Sequence, residues 1–309
     1  MRSKITVVGA GNVGATVAQR LAERDYADLV LVDVEEGLAQ GKALDLNQAG
    51  LLTGYEPNLI ARAGYEETGG SDIVVVTSGR PRGPDMSRDD LLGANREIVS
   101  EVCGQVAERS PDAVVIVVTN PLDAMCHVAL EATGFPRQRV IGMAGILDSA
   151  RLRTFLAWEL GVSTADVSGL VLGGHGDTMV PVLSKAQVGG SPIRERLSAQ
   201  RLEEIVQRTR DGGAEVVELL GDGSAFYGPS AAIAEMVDAI VLDRKRVLVC
   251  TALCQGEYGA HDLFIGVPVK LGKDGVEEIV EIALEDDERT QLRRSADAVR
   301  EVVEALARL

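Results

Sequence analysis

Long apolar runs, paired cysteines and basic charge are what this 309-residue sequence lacks. Its longest apolar stretches, residues 73–76 and 113–118, are strand-length, far short of the roughly 18 residues of a membrane span. No membrane partner is therefore expected. The four cysteines, Cys103, Cys126, Cys250 and Cys254, form no CxxC and no Cys/His cluster. Free buried thiols in a reducing compartment are expected, and no metal site. Acidic residues outnumber basic ones 47 to 31, a formal net charge of −16. Nucleic acids and anionic membranes select basic patches, so neither is an expected partner. The acid excess fits solubility or adaptation to salt, and the preference for arginine over lysine fits salt adaptation or a GC-rich genome. Met1-Arg2-Ser3-Lys4 runs straight into Ile5-Thr6-Val7-Val8 with no signal-like segment before it, and a cytoplasmic location is expected.

What is present is the composition of a globular protein: 46% hydrophobic and 25% charged residues, enough to bury a large core. At roughly 100–200 residues per domain the length suits two domains. Residues 4–8, 29–33, 72–77, 113–119 and 139–141 read as strands. Residues 12–24, 35–49, 89–109 and 123–133 read as the helices between them. Unbroken apolar runs imply strands covered on both faces. Their alternation with helices implies a Rossmann-type doubly wound parallel sheet. After residue 146 the rhythm changes. Helices are expected at 148–160, 199–212, 213–220, 230–242 and 286–309, the last with Val299, Val302, Val303 and Leu306 on one face. β-like pieces lie near 167–172, 180–188, 246–254 and 264–269. The expectation is a Rossmann-type α/β domain over 1–146 and an α+β domain over 147–309.

Gly9-Ala10-Gly11-Asn12-Val13-Gly14 follows the first strand and opens the first helix, and Asp33 ends the second strand. A lone GxGxxG says little, but this one has the strand, the helix and the acid that a dinucleotide site requires. Gly9 suits the tight turn, Gly11 the approach of a pyrophosphate, and Gly14 the packing of helix on sheet, with free helix N–H groups for the phosphates. Asp33 can accept from both ribose hydroxyls and would repel a 2′-phosphate, which favours NAD over NADP. Asp33 could otherwise be a strand-end cap.

Gly173-Gly174-His175-Gly176-Asp177 contains one of only three histidines. A lone histidine is more often structural than catalytic. Here flanking glycines leave the ring approachable, and a histidine near its own pKa can take a proton and return it. Asp148 and Arg151 stand three apart at a helix start and share a face. Asp148 can accept from one nitrogen of His175, and Arg151 offers a planar fork for a carboxylate. A random DxxR would be a cap and a surface ion pair. Residues 79–95 are rich in Gly, Pro and Arg and follow a buried strand, as a loop closing over an anionic substrate would, or as an ordinary surface loop. Thr119-Asn120-Pro121 ends another strand. Asn120 can bond both substrate and cofactor, or be a turn residue.

In family order and spacing, GAGNVG, Asp33, the arginine-rich loop, TNPLD, LDSAR and GGHGD resemble the lactate/malate dehydrogenase family nearly end to end. The resemblance implies roles residue by residue. His175 is the proton acceptor and Asp148 its orienting partner. Arg151 is the carboxylate clamp, Arg88 the loop arginine that polarises the reacting carbonyl, and Asn120 a substrate contact. The cofactor is NAD, touched by the Gly9–Gly14 loop, Asp33, Asn95, Val118, Thr119 and Asn120. Arg82 stands where lactate enzymes of the family place glutamine and malate enzymes arginine. A second carboxylate buried under the lid needs such a cation. Gly228, within Ala225-Phe226-Tyr227-Gly228-Pro229-Ser230, implies room for the larger acid. The expected substrate is thus a small dicarboxylate, with reversible oxidation of (S)-malate to oxaloacetate, in a subgroup of malate dehydrogenases whose sequences lie closer to lactate dehydrogenases. That subgroup implies a homo-oligomer, a tetramer in preference to a dimer. The lid departs from the family pattern: Arg82-Gly83-Pro84-Asp85-Met86 stands for the usual Arg-Lys-Pro-Gly-Met, while Arg82 and Arg88 keep their spacing. The nearest rival is a lactate dehydrogenase. An NAD-dependent glycosidase or a non-catalytic NAD-sensing module are remoter readings.

Overall fold

The apolar runs of the N-terminal half become strands of one sheet. The computed structural model describes residues 2–56, 58–81, 87–221 and 223–309, apart from the side chain of Arg88. The first strands are β1 (Ser3–Val8), β2 (Ala27–Val32), β3 (Leu59–Arg62), β4 (Ile73–Val76), β5 (Val114–Val117) and β6 (Val140–Gly142). They pair in parallel in the order β6-β5-β4-β1-β2-β3. The crossover helices include α1 (Asn12–Ala22), α2 (Glu36–Thr53), α3 (Arg88–Arg109) and α4 (Leu122–Thr133). The order reverses between β1 and β4, which opens a crevice at the carboxyl ends of the strands.

Successive strand residues point to opposite faces, so each run divides between two cores. Ile5, Leu29, Leu31, Ile73, Val75 and Ile116 pack with Val17 and Leu21 of α1. Val8, Val30, Val74, Val76, Val115 and Val117 pack with Val99 and Val102 of α3 and Met125 of α4. Each such side chain contributes about 1.5–3 kcal/mol of burial. The sheet is thereby a rigid floor for the loops at its carboxyl edge.

The C-terminal half supplies α5 (Gly145–Leu160), five two-residue strands, α6 (Ala199–Leu220), α7 (Tyr227–Val241), and α8 (Asp286–Arg308). The two-residue strands are β7 (Val167–Ser168), β8 (Val171–Leu172), β9 (Val180–Pro181), β10 (Gln187–Val188) and β11 (Ser191–Pro192). Three longer strands, β12 (Arg246–Gln255), β13 (His261–Gly272) and β14 (Gly275–Ile279), carry the same sheet on past β6, antiparallel, to nine strands. A third core lies between α5, α6 and the small strands, around Leu152, Leu156, Val188, Leu202 and Ile205.

Four sequence expectations are corrected. The short edge strands β3 and β14 were not anticipated. The β-like pieces at 167–172 and 180–188 are each two strands divided between the same two small sheets, β7 beside β10 and β8 beside β9. The helix break expected between Gly212 and Gly213 is absent, α6 being continuous. Val302 is 37% exposed, because the inner face of α8 follows Leu292, Ala296, Val299 and Leu306. All four cysteines are buried free thiols. Burial pushes the thiols of Cys103, Cys250 and Cys254 up to about 12, which leaves them protonated. Among the described residues no helix is long and apolar enough to cross a membrane.

Candidate active site

At the end of β1 the chain must turn sharply into α1. Gly9 does so at φ +106°, its N–H donating to the Val32 carbonyl at 2.7 Å. A Cβ on Gly14 would come within 1.8 Å of the Gly9 carbonyl oxygen, so only glycine lets the helix start here. A Cβ on Gly11 would meet nothing within 4 Å: that side of the loop faces open space. Among the described residues no side chain caps the first turn of α1, so its N–H groups remain for a ligand with negative charge. Asp33 does two jobs. Its Oδ2 accepts from the Ala10 N–H at 2.6 Å and its Oδ1 from the Glu35 N–H at 2.9 Å. A carboxylate has about four acceptor sites, so it shapes the glycine loop and retains capacity for ribose hydroxyls. Lys42 reaches from α2 to donate to the Ala10 carbonyl at 2.6 Å.

The loops after β4 and β5 are tied to each other. Thr119 Oγ1 donates to the Ser78 carbonyl at 2.5 Å. Asn95 of α3 is 1% exposed. Its amide accepts from the Arg80 N–H at 2.7 Å and donates to the Asn120 carbonyl at 2.7 Å. It meets the crevice through the backbone it braces. Asn120 itself is exposed at the crevice edge. The Ser78 hydroxyl is buried with no partner among the described residues. An open glycine loop, uncapped helix N–H groups, an acid with spare acceptors and an orphaned hydroxyl at this edge together suit a dinucleotide.

The second part is built on α5. Asp148, in its first turn and 2% exposed, accepts from Arg151 Nη1 at 3.1 Å through Oδ1 and pairs with His175 Nδ1 at 2.9 Å through Oδ2. One buried carboxylate thus fixes both side chains. With Nδ1–H facing Asp148, Nε2 is left as the acceptor. Burial pulls the imidazole's pKa down, but the charge and hydrogen bond of Asp148, with help from Asp123, carry it above the ordinary histidine value. The loop bearing His175 is clamped from three elements. Gly173 exchanges both backbone hydrogen bonds with Gly266 of β13, each 2.9 Å. The Gly174 N–H donates to Ser295 Oγ of α8, and the His175 N–H to Asp123 Oδ2 of α4, both at 2.9 Å.

Asp123 lies within TNPLD, and nothing in the local sequence signals its contact with His175. As an acid in a helix's first turn it resembles an ordinary dipole partner, and its contacts are distant in sequence. The glycine pair in α6 also belongs here. A Cβ on Gly212 would stand 3.1 Å from Arg151 Cδ, and one on Gly213 3.7 Å from Arg151 Nη2. The stem of Arg151 lies on bare helix backbone. Gly228 has a packing reason as well, since its Cβ would come 3.0 Å from Leu147 Cδ1. Arg82 lies outside the described residues, as does the side chain of Arg88. The helix that Arg88 begins is closed by a capping box between Ser87 and Asp90.

Residues 3–142 match the profile "lactate/malate dehydrogenase, NAD binding domain", and residues 146–308 match "lactate/malate dehydrogenase, alpha/beta C-terminal domain". The chain is 59% identical over 309 residues to the malate dehydrogenase of Thermomicrobium roseum, covering 100% of both. It superimposes on the malate dehydrogenase structure from Salinibacter ruber with TM-score 0.94 and 51% identity, covering 99% of this chain and 98% of that one. For the Cryptosporidium parvum lactate dehydrogenase complexed with lactic acid and nicotinamide adenine dinucleotide, the TM-score is 0.97 at 38% identity, covering 100% and 99%.

Proposed function

The chain belongs to the lactate/malate dehydrogenase family, and from that premise we propose that it reversibly oxidises (S)-malate to oxaloacetate with NAD. The observation that carries the reading is the shared carboxylate of Asp148, 2.9 Å from His175 Nδ1 and 3.1 Å from Arg151 Nη1. Malate's hydroxyl proton passes to His175 Nε2, and the imidazolium so formed is stabilised by Asp148. Arg151 holds the carboxylate beside the hydroxyl with two parallel hydrogen bonds. Asn120 bonds the reacting oxygen, Arg88 polarises it, and Arg82 binds the second carboxylate. NAD supplies, when bound, the nicotinamide that accepts the hydride. Gly9, Ala10, Gly11, Asn12, Val13 and Gly14 hold its phosphates, Asp33 its ribose, and Val118, Thr119 and Asn120 line its far end, with Asn95 supporting them from below.

In this reading residues 1–146 bind NAD and residues 147–309 carry the acid–base chemistry. The protein works in the cytoplasm as a homo-oligomer, with a tetramer favoured over a dimer. Leu44, Leu51 and Leu52 of α2, exposed at 60%, 89% and 86%, support self-association, since exposed apolar faces of this kind are commonly contact surfaces.

The test is a steady-state comparison of oxaloacetate and pyruvate, each with NADH and NADPH. Oxaloacetate with NADH is expected to give the highest kcat/KM. Faster turnover of pyruvate would overturn the malate assignment, and equal use of NADPH would overturn the role of Asp33. Arg82→Gln is expected to move the oxaloacetate-to-pyruvate ratio toward pyruvate by on the order of 10- to 100-fold, the worth of a charge-assisted hydrogen bond.

Gly212→Ala separates positioning from helix stability. Gly212 is buried, and the roughly 1 kcal/mol that alanine gains over glycine in a helix interior offsets the crowding against Arg151, so the thermal midpoint should hold. Displacing the Arg151 stem should instead raise KM for oxaloacetate on the order of five- to tenfold. Gly104→Ala, in α3 with nothing within 4 Å of its Cβ position, should leave KM where it was. Equal KM values in the two variants would refute the seat.

A further inference from the structure

Asp123 is a buried acid, 7% exposed, in the first turn of α4. Its Oδ2 accepts the His175 N–H at 2.9 Å and its Oδ1 accepts the Thr251 hydroxyl of β12 at 3.0 Å. Among the described residues no ion pair to arginine or lysine is formed by it, and the cation it meets is the imidazolium of His175. Removing a carboxylate from water without a partner is costly, and an amide could make both hydrogen bonds. The charge itself therefore needs a reason.

Resting on the assignment of His175 as the base, we infer that Asp123 is a positioning residue that both fixes the His175 loop and sets a second negative charge beside the imidazole. Asp148 on α5 bonds the ring. Asp123 on α4 bonds the backbone of the same residue from the other side. Among the described residues, the charged groups facing His175 are these two carboxylates and Arg151 of α5. The neighbours Thr251 of β12 and Ser295 of α8 are uncharged. Oδ2 faces an N–H that can only donate, so that oxygen carries no proton. Burial, with the nearby charge of Asp148, holds the carboxyl's own pKa above the ordinary aspartate value against the pull of the His175 N–H, the imidazolium and Thr251. At His175 the sign is the reverse: Asp123 raises the imidazole alongside Asp148, against burial and Arg151. Two carboxylates together keep the imidazolium available to return its proton in the reductive direction.

Asp123→Asn is the test, because asparagine can accept from the His175 N–H with its oxygen and donate to Thr251 with its amide while removing the charge. kcat/KM for oxaloacetate with NADH, which needs protonated His175, falls as pH rises through the imidazole pKa. kcat/KM for malate with NAD, which needs the neutral ring, rises through it. In Asp123→Asn both limbs are expected to move about one unit toward lower pH. Because the equilibrium constant ties the two directions together at each pH, both fall about tenfold together above that range, and the displaced limb is the diagnostic, with NADH affinity and thermal midpoint unchanged. A merely structural Asp123 would lower both directions together with the limbs in place, and that result overturns the inference. No limb in the wild type would instead overturn the assignment of His175. If the asparagine variant does not fold, Thr251→Val withdraws one hydrogen bond from the carboxylate. Its limb should move the same way by less, while Thr251→Ser keeps the wild-type profile. An unmoved limb in the valine variant again overturns the inference.

Discussion

Asp148→Asn is expected to lower kcat in both directions by on the order of 10³-fold. The size follows from the double duty of one carboxylate, which pairs with His175 Nδ1 at 2.9 Å and Arg151 Nη1 at 3.1 Å. An asparagine oxygen can face one of these donors, but the amide must then face the other. If it keeps His175, its N–H group opposes the guanidinium. If it keeps Arg151, the imidazole is driven to the wrong tautomer and Nε2 carries the hydrogen that should be absent. In either orientation the negative charge that stabilises the imidazolium is gone. Because Asp148 raises the His175 pKa both through its charge and through its hydrogen bond, the limb of the pH profile should also fall. Steady-state kinetics with both acids, beside an NADH titration, checks this. A loss of less than tenfold with an unshifted limb would contradict it.

Arg151→Gln is expected to reduce kcat/KM for oxaloacetate by about 2–5 kcal/mol of transition-state stabilisation, roughly 30- to 5,000-fold, the usual effect of truncating one partner of a buried charge pair. The side chain is only 16% exposed and its partner Asp148 2%, so water cannot replace the lost cation. Glutamine can return one hydrogen bond, without the charge or the fork. Arg151→Lys restores the charge alone and should recover only part of the loss, because a point charge does not reproduce two parallel bonds. Both variants should keep NADH affinity, since Arg151 lies on α5, away from the glycine loop. The thermal midpoint of Arg151→Gln should fall, since Asp148 is left buried beside a histidine that is neutral at high pH. Unchanged kcat/KM in Arg151→Gln would remove the clamp from the account.

The parts legible in the sequence are those where local pattern and tertiary role agree. Short runs dominated by valine, isoleucine and leucine gave β1, β2, β4, β5 and β6, because a strand covered on both faces has no polar side to show. The glycine loop was readable because Gly9 and Gly14 answer local steric demands, while Gly11 leaves its side of the loop open. Asp148 and Arg151 could be paired because three residues on a helix are neighbours in space. What escaped depends on distance along the chain. β3 and β14 are short edge strands whose pattern is weak before their neighbours are known. Gly212 looked like a helix break because glycine lowers helix propensity, and only the Arg151 stem lying against it explains why it stands there. Asp123 looked like a helix-start acid, while its partners His175 and Thr251 lie 52 and 128 residues away. Sequence pattern carries no signal for such a meeting.

The account's central claim is that His175 takes and returns the substrate proton. The most direct measurement is kcat/KM for malate as a function of pH in the wild type and in His175→Gln. The wild type should rise with pH through one apparent pKa above the ordinary histidine value, the direction set by Asp148 and Asp123 against burial. His175→Gln should lose activity by on the order of 10²- to 10⁴-fold and show no such limb. A glutamine variant that retained the wild-type limb would place the proton acceptor elsewhere.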